Sequence, residues 1–370
     1  LTNFYLTIAL GGWIGGAVIS LLAPFLFKGL FEYPLLIILL GASFWWCGEK
    51  SFTLYRQGTS RLAAGSRILI IVAMFSFIGM ESWASWQEPI KFRHRNFYGT
   101  YRIKDEPSVE GLPGGLRKLL HGRTLHGSQL LDPDLRKTPV SYFYPGGGIA
   151  EVYETTPAPR KIAVLGLGAG AVAAYGQQND SLSYFEIDPD NEKIARQWFT
   201  YLDDSKAKIS VVVGDGRLSM QKAAHERTGY DIIHMDAFTG DGIPTHLLTR
   251  EAIQIYLDRL AEHGVIIFHV SNRYYELRPV IKSTSAGLNL YGAINVPATS
   301  DKLKYYQNAT WCVVLARNPE RLQPLVNKGW IRLGKDDGLS DSAPWTDDYI
   351  NILSPLMDNL RYHLAQMTGS

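Results

Sequence analysis

Lys161-Ile-Ala-Val-Leu-Gly166-Leu-Gly168-Ala-Gly170-Ala171 and, shortly after it, Leu182-Ser-Tyr-Phe-Glu186-Ile-Asp188 decide the fold of this chain. Each is a short apolar run that ends in glycines or carboxylates, the pattern of a buried strand leading into a special turn. Working outward, Ile209–Val213, Tyr230–Met235 and Val265–Val270 repeat the apolar run. Asn191–Tyr201 and Leu247–Ala261 read as helices between them. Strands alternating with helices imply βαβ units and a doubly wound, mostly parallel sheet. Thr310–Leu315 is expected as an antiparallel edge strand.

In such sheets ligands lie beyond the C-terminal strand ends. The first strand runs into Gly166, Gly168 and Gly170, where a bare backbone can approach a nucleotide and a following helix would offer its N-terminal N–H groups. The second ends in Glu186-Ile-Asp188, 18 residues after Gly168, where a carboxylate can hold both ribose hydroxyls. The third ends in Gly214-Asp215-Gly216, suited to an adenine amino group, and the fourth in Asp236, with Asp241 five residues on. Carboxylates after three successive strands favour a sulfonium nucleoside with a cationic substrate by charge complementarity. A dinucleotide, or no ligand, remains open on this pattern alone.

The N-terminal quarter has a different character. Leu1 to Phe27 carries no charge and is long enough to span a bilayer, which takes about 20 apolar residues. It lacks the basic start of a signal peptide. Tyr33–Gly48 is a second, shorter charge-free run flanked by Phe44, Trp45 and Trp46, and Ile68–Met80 a third. Gly11-Gly12 and Gly15-Gly16 would let another helix approach the first closely. Five of the nine Trp lie before residue 90, as interfacial anchors would. The basic segments 49–67 and 91–95 fall on one side only if the third run does not span. That arrangement places the soluble domain in the cytoplasm.

The whole chain has 370 residues, 37 Lys+Arg against 35 Asp+Glu, and a net charge of +2, which excludes a general nucleic-acid binder. Two distant cysteines, Cys47 and Cys312, supply neither a disulfide framework nor a cysteine zinc cluster. His121 and His126 have no evident third ligand, so no metal is expected. His234 and His269 read as core or pocket-wall residues. Ser271-Asn-Arg273 reads as loop.

Five segments together resemble the spermidine synthase (polyamine aminopropyltransferase) family, and its membrane-fused branch most. They are Phe4-Tyr-Leu-Thr-Ile-Ala-Leu-Gly-Gly12, His121-Gly-Arg-Thr-Leu-His-Gly-Ser-Gln129, Thr138-Pro-Val-Ser-Tyr-Phe143, the run from Asp236 to Glu251, and Trp345-Thr-Asp-Asp-Tyr349. The resemblance implies membrane helices over residues 1–90, a small β region over 91–145, a Rossmann-like S-adenosyl-nucleotide domain over 146–360 and a tail over 361–370. A start inside a motif at Leu1 implies the C-terminal part of a longer membrane protein. The family transfers an aminopropyl group from decarboxylated S-adenosylmethionine to a small amine. By that resemblance Glu186 binds ribose, Asp215 adenine, Gln129 lines the nucleotide or amine site, Asp236 is the catalytic aspartate, and Tyr142 orients the amine.

Departures shift the weight. Soluble members carry an aspartate where this chain has Ala169, a second one where it has Thr239, and Tyr-His-Glu where it has Tyr142-Phe143-Tyr144. Asp241 is a displaced replacement, and Asp347 and Asp348 can add charge if the 345–349 segment closes over the pocket. Ordinary S-adenosylmethionine with methyl transfer therefore stays as an alternative, as does a silent nucleotide-binding domain. The expected partners are a small-molecule acceptor and the lipid bilayer, and the reading is compatible with a homo-oligomer.

Overall fold

The computed structural model describes residues 2–51, 72, 75, 76, 88–108, 114–222, 229–238, 242 and 244–368. Its chain divides into two compact units, Leu1–Lys104 and Asp105–Ser370.

The first unit opens with helix α1, Thr2–Leu26, charge-free and, among the described residues, the one helix long and apolar enough to cross a membrane. At about 1.5 Å per residue it measures about 37 Å, against about 30 Å of hydrocarbon. A π-helical turn over Val18–Leu22 precedes Pro24, whose ring removes a helical N–H. Helix α2, Glu32–Ser51, contains the second apolar run, but its uninterrupted apolar part, Glu32–Ser43, is short. A multi-pass arrangement therefore rests on the sequence pattern alone, and most of the third run lies outside the described residues. Strands β1, Ile90–Asn96, and β2, Gly99–Glu106, form an antiparallel hairpin. From β1, Arg95 reaches back to the turn between the helices. It donates to both oxygens of Glu32 at 2.7 and 2.8 Å and to the carbonyl of Gly29 at 2.7 Å.

The second unit begins with a hairpin of β3, Leu116–His121, and β4, Thr124–Leu130, and helix α3, Gly148–Glu154. The main sheet then follows: β5 Lys161–Leu165, β6 Ser181–Glu186, α4 Pro189–Trp198, α5 Tyr201–Asp204, β7 Lys208–Val213, α6 Gly216–Lys222, β8 Tyr230–Met235, α7 Arg250–Arg259, β9 Leu260–His269, α8 Arg278–Ser285, β10 Tyr291–Ile294, β11 Cys312–Ala316, α9 Gln323–Val326, β12 Ile331–Arg332 and α10 Leu353–Thr368. The sheet order is β12-β10-β11-β9-β8-β5-β6-β7. The five strands from β9 to β7 are parallel, and β11, β10 and β12 are antiparallel. This is the α/β, Rossmann-like arrangement with a mixed sheet.

Two expectations change. The strand expected at Thr310–Leu315 is antiparallel but interior, because β10 and β12 pair outside it. The helix expected over Asn191–Tyr201 breaks at Phe199, whose extended backbone lets Tyr201 turn inward and become buried. One face of the sheet packs on α7 and α8 through Ile253, Tyr256, Val280 and Ile281, with Trp345 fully buried among them.

At the start of β5 a buried ion pair closes the sheet's lower end. Arg160 donates to Asp180 at 2.6 Å and to the carbonyls of Tyr153 and Tyr175, both at 2.7 Å. Because both side chains are almost wholly buried, Arg160→Met leaves Asp180 without its counter-charge, held only by the backbone N–H groups of residues 160 and 177, and leaves two carbonyls without this donor. We expect it to cost about 3–5 kcal/mol, read as a lower denaturant midpoint at pH 7.

Candidate active site

The strand order turns at β5, since the chain proceeds to β6 and β7 on one side and returns to β8 and β9 on the other. A crevice at such a turning point is where doubly wound sheets place ligands.

The loop Gly166–Gly170 fills this position and is fastened on three sides. Gly166 N–H donates to the carbonyl of Phe185, Leu167 N–H to Glu186 Oε2, and Ala169 N–H to the carbonyl of His126. Gly166, Gly168 and Gly170 all have positive φ. A Cβ on Gly166 would lie 2.3 Å from the carbonyl oxygen of Asp236, so only glycine lets the two strand ends pass. The α-helix expected after the loop is instead a 3-10 turn, Ala171–Tyr175. It stops at Gly176, where a Cβ would come within 2.6 Å of Ser205 Oγ. Five residues are too few to supply a helix dipole, and the N–H groups of Gly166, Leu167, Ala169 and Gly170 all donate within the protein, so what the loop offers is close approach of its backbone.

Around this loop stand the carboxylates read from the sequence. Glu186 accepts from Leu167 N–H, Asp188 N–H and the Asn191 amide, at 2.9–3.0 Å. Burial raises its pKa against those three donors. Asp188 caps α4 by accepting from Asp190 N–H. Asp215 accepts from Leu218 N–H at 2.8 Å and lies 2.9 Å from His246 Nε2. Gly216 sits where a Cβ would strike Leu165. Between these acids, Ile187 and Leu218 leave 44% and 53% of their apolar surface open.

Gln129 is buried and committed to the protein. Its amide donates to Thr200 Oγ1 and the Arg136 carbonyl, and its carbonyl accepts from Thr200 N–H. It braces β4 against the start of α5, so a nucleotide or amine would meet it only through what remains of its carbonyl oxygen.

Asp236 follows β8 and meets a partner that sequence reading assigned to the wall. Parallel register pairs Met235 with Phe268, so the next residues of the two strands, Asp236 and His269, come side by side. His269 Nδ1 lies 2.6 Å from Asp236 Oδ1. Burial alone would raise the Asp236 carboxyl. The charge and hydrogen bond of His269, with His234 and His126 farther off, instead hold it below the ordinary carboxylate range. An ionised carboxylate only accepts, which assigns the proton to Nδ1. Tyr142, Phe143 and Phe238 surround the imidazole, with ring centroids 5.1, 6.3 and 5.8 Å away. Tyr142 is thus brought to Asp236's partner. His234 is wholly buried beside Tyr153 and its pKa falls to about 4, so it stays neutral. Distance from the strand starts would not have found His269, because Asp236 comes six residues after Tyr230 and His269 nine after Leu260, with a register shift between Tyr230 and Ile232.

Other candidates settle differently. Asp241 and Thr239 lie outside the described residues. The 345–349 segment is not a lid, because Trp345 is locked in the core and its carbonyl accepts from Arg250 N–H. Asp347 is consumed by Arg217, at 2.6 and 2.7 Å, and by Thr249. Ser271 accepts from Trp311 N–H and Asn272 from Tyr274 and Tyr275, so that stretch serves its loop. Ala169 is buried, its methyl against Gly127.

No protein-family model matches the chain. A polyamine aminopropyltransferase of Vibrio vulnificus (strain CMCP6) is 32% identical over 114 residues, 30% of this chain and 38% of that protein. The resemblance to the spermidine synthase family is borne out. The chain spans less than two fifths of the length of that curated relative. Among solved structures, spermidine synthase from Thermotoga maritima is 12% identical with a TM-score of 0.45, covering 72% of this chain and 84% of that one. A probable spermidine synthase from Corynebacterium glutamicum is 15% identical with a TM-score of 0.46, covering 71% and 99%. Human methyltransferase-like protein 13 with SAH is 20% identical with a TM-score of 0.35, covering 51% and 94%.

The depressed pKa of Asp236 has a measurable sign. Its ionised form stabilises the fold above the ordinary carboxylate value of about 4, and that contribution is lost as pH falls through the lower folded value. His234, buried neutral, adds its own loss between about pH 6.5 and 4. The stability advantage of wild type over Asp236→Asn, measured by denaturant unfolding, should therefore be largest near pH 7 and shrink towards pH 3.

Proposed function

We propose that this chain is a membrane-attached aminopropyltransferase, moving an aminopropyl group from decarboxylated S-adenosylmethionine to a small amine. The observation that carries this reading is an ionised Asp236, fixed by His269, at the sheet's turning point beside the glycine loop. The glycine loop lets the nucleoside approach its backbone closely, and the carboxylates of Glu186 and Asp188 receive the ribose side. Asp215 and Gly216 receive the adenine edge, between Ile187 and Leu218, and Gln129 braces the floor.

An alkylammonium has a pKa near 10, so the acceptor must shed a proton to become a nucleophile. Asp236 accepts that proton while Tyr142 borders the amine. The nitrogen lone pair then attacks the aminopropyl carbon in line, the C–S bond breaks, and its electron pair returns to sulfur, leaving methylthioadenosine. Positioning supplies much of the acceleration in such a displacement. Attachment through α1 is supported by its length and lack of charge. Lys91, Arg93 and Arg95 after the membrane segment support a cytoplasmic domain.

Methyl transfer from S-adenosylmethionine is the second reading, favoured by Ala169. Its buried methyl leaves no carboxylate in the loop to hold a propylammonium group. Detergent-purified protein incubated with either co-substrate and a panel of amines separates the two by mass spectrometry. Amine-dependent methylthioadenosine is expected; S-adenosylhomocysteine would overturn it in favour of methyl transfer, and neither product with nucleoside still bound would indicate a silent domain. Asp236→Asn should lower turnover about 10²–10⁴-fold while nucleoside affinity, read by calorimetry, changes little.

A further inference from the structure

Arg95 and Glu32 fix a question of topology that hydropathy leaves open. Arg95 lies in β1, and Glu32 opens α2 directly after the turn that ends α1. Their contact is a two-pronged ion pair with a third bond to Gly29, and the two side chains are 8% and 4% exposed. A planar guanidinium held by three acceptors in fixed directions makes one arrangement far better than its neighbours. Removing either partner would strand a buried charge.

The same strand face carries more charge. Arg93 stands two residues from Arg95 and directly opposite Arg102 in β2, with Lys104 two residues beyond. Glu88 answers Arg102 at 2.7 Å. Phe97 at the hairpin tip is 76% exposed. Cationic side chains beside an exposed aromatic tip suit the phosphate level of a bilayer, and not its hydrocarbon.

From this we infer that the end of α1 and the β1–β2 hairpin lie on the same face of the membrane, at headgroup level, with Thr2 on the opposite face. Phe27 and Ile90 therefore lie on one face of the bilayer. A single crossing between them, as in two spans followed by an interfacial third run, would carry Glu32 and Arg95 to opposite faces. The inference rests on the reading of α1 as a membrane span.

Single cysteines test it in full-length protein with Cys47→Ser and Cys312→Ala. Leu30→Cys and Phe97→Cys are both exposed sites, 51% and 76%, and Thr2→Cys marks the far end of α1. In sealed vesicles, a membrane-impermeant maleimide should label Leu30→Cys and Phe97→Cys from one side, and Thr2→Cys only from the other. Labelling of Leu30→Cys and Phe97→Cys from opposite sides would overturn the inference while leaving membrane attachment intact. Release of the protein by alkaline carbonate would instead overturn the membrane reading, and the inference with it. Should the cysteine background fold poorly, insertion of a short protease site after Phe97 or at Leu30 gives the same two-sided readout by protection.

Discussion

Everything at the C-terminal edge of the sheet depends on how closely the end of β5 passes the end of β8. The hydrogen of Gly166 occupies the one place where any side chain would press into the carbonyl of Asp236. Because the strands can approach there, Asp236 N–H reaches the carbonyl of Leu165 at 2.9 Å, and the loop that follows can fold back on Glu186. Asp236 is thereby delivered to the glycine loop on one side and to His269 on the other. Backbone contact, and not side-chain packing, sets the spacing of the chemistry.

The central parallel strands β5 and β8 and the end of β9 were legible in the sequence because they are buried on both faces and read as apolar runs, whereas β7 at the edge keeps an apolar run that is largely exposed. Asp236, Glu186 and Asp215 could be named because a carboxylate directly after such a run has one position to occupy. The helix after the glycine loop was not legible. Ala171-Val-Ala-Ala-Tyr175 has helical propensity, but Gly176 is pressed against Ser205 and Ala207, a long-range contact that ends the turn. His269 was hidden for a related reason. Its role depends on the register between two strands more than thirty residues apart, and a histidine at a strand end is ordinary by itself. Trp345 misled in the opposite direction. Aromatic and acidic residues in a Pro-flanked segment look like a surface lid, yet the indole fills the space between α7 and α8.

The charge balance of the site follows from who holds each acid. Asp347 is neutralised by Arg217, Asp188 caps a helix, and Asp215 shares His246. Glu186 and Asp236, on either side of the glycine loop, are shifted in opposite directions. Glu186 is buried among backbone donors and its pKa rises, as suits an acceptor of hydroxyl hydrogens. Asp236 is kept anionic by an imidazole, as suits an acceptor of a proton from an ammonium. Sorting of this kind gives two identical functional groups different work.

The seat of Trp345 also bears on the order of events during synthesis. Translation proceeds from the N-terminus, so α1 leaves the ribosome more than three hundred residues before the indole that fills the sheet's helical face. Until residue 347 emerges, Arg217 lacks its carboxylate and the helix after Asp215 lacks its tether. The N-terminal helix thus emerges long before the C-terminal edge of the sheet is complete. Premature termination just short of Trp345 would leave a tryptophan-sized void at the centre of the core.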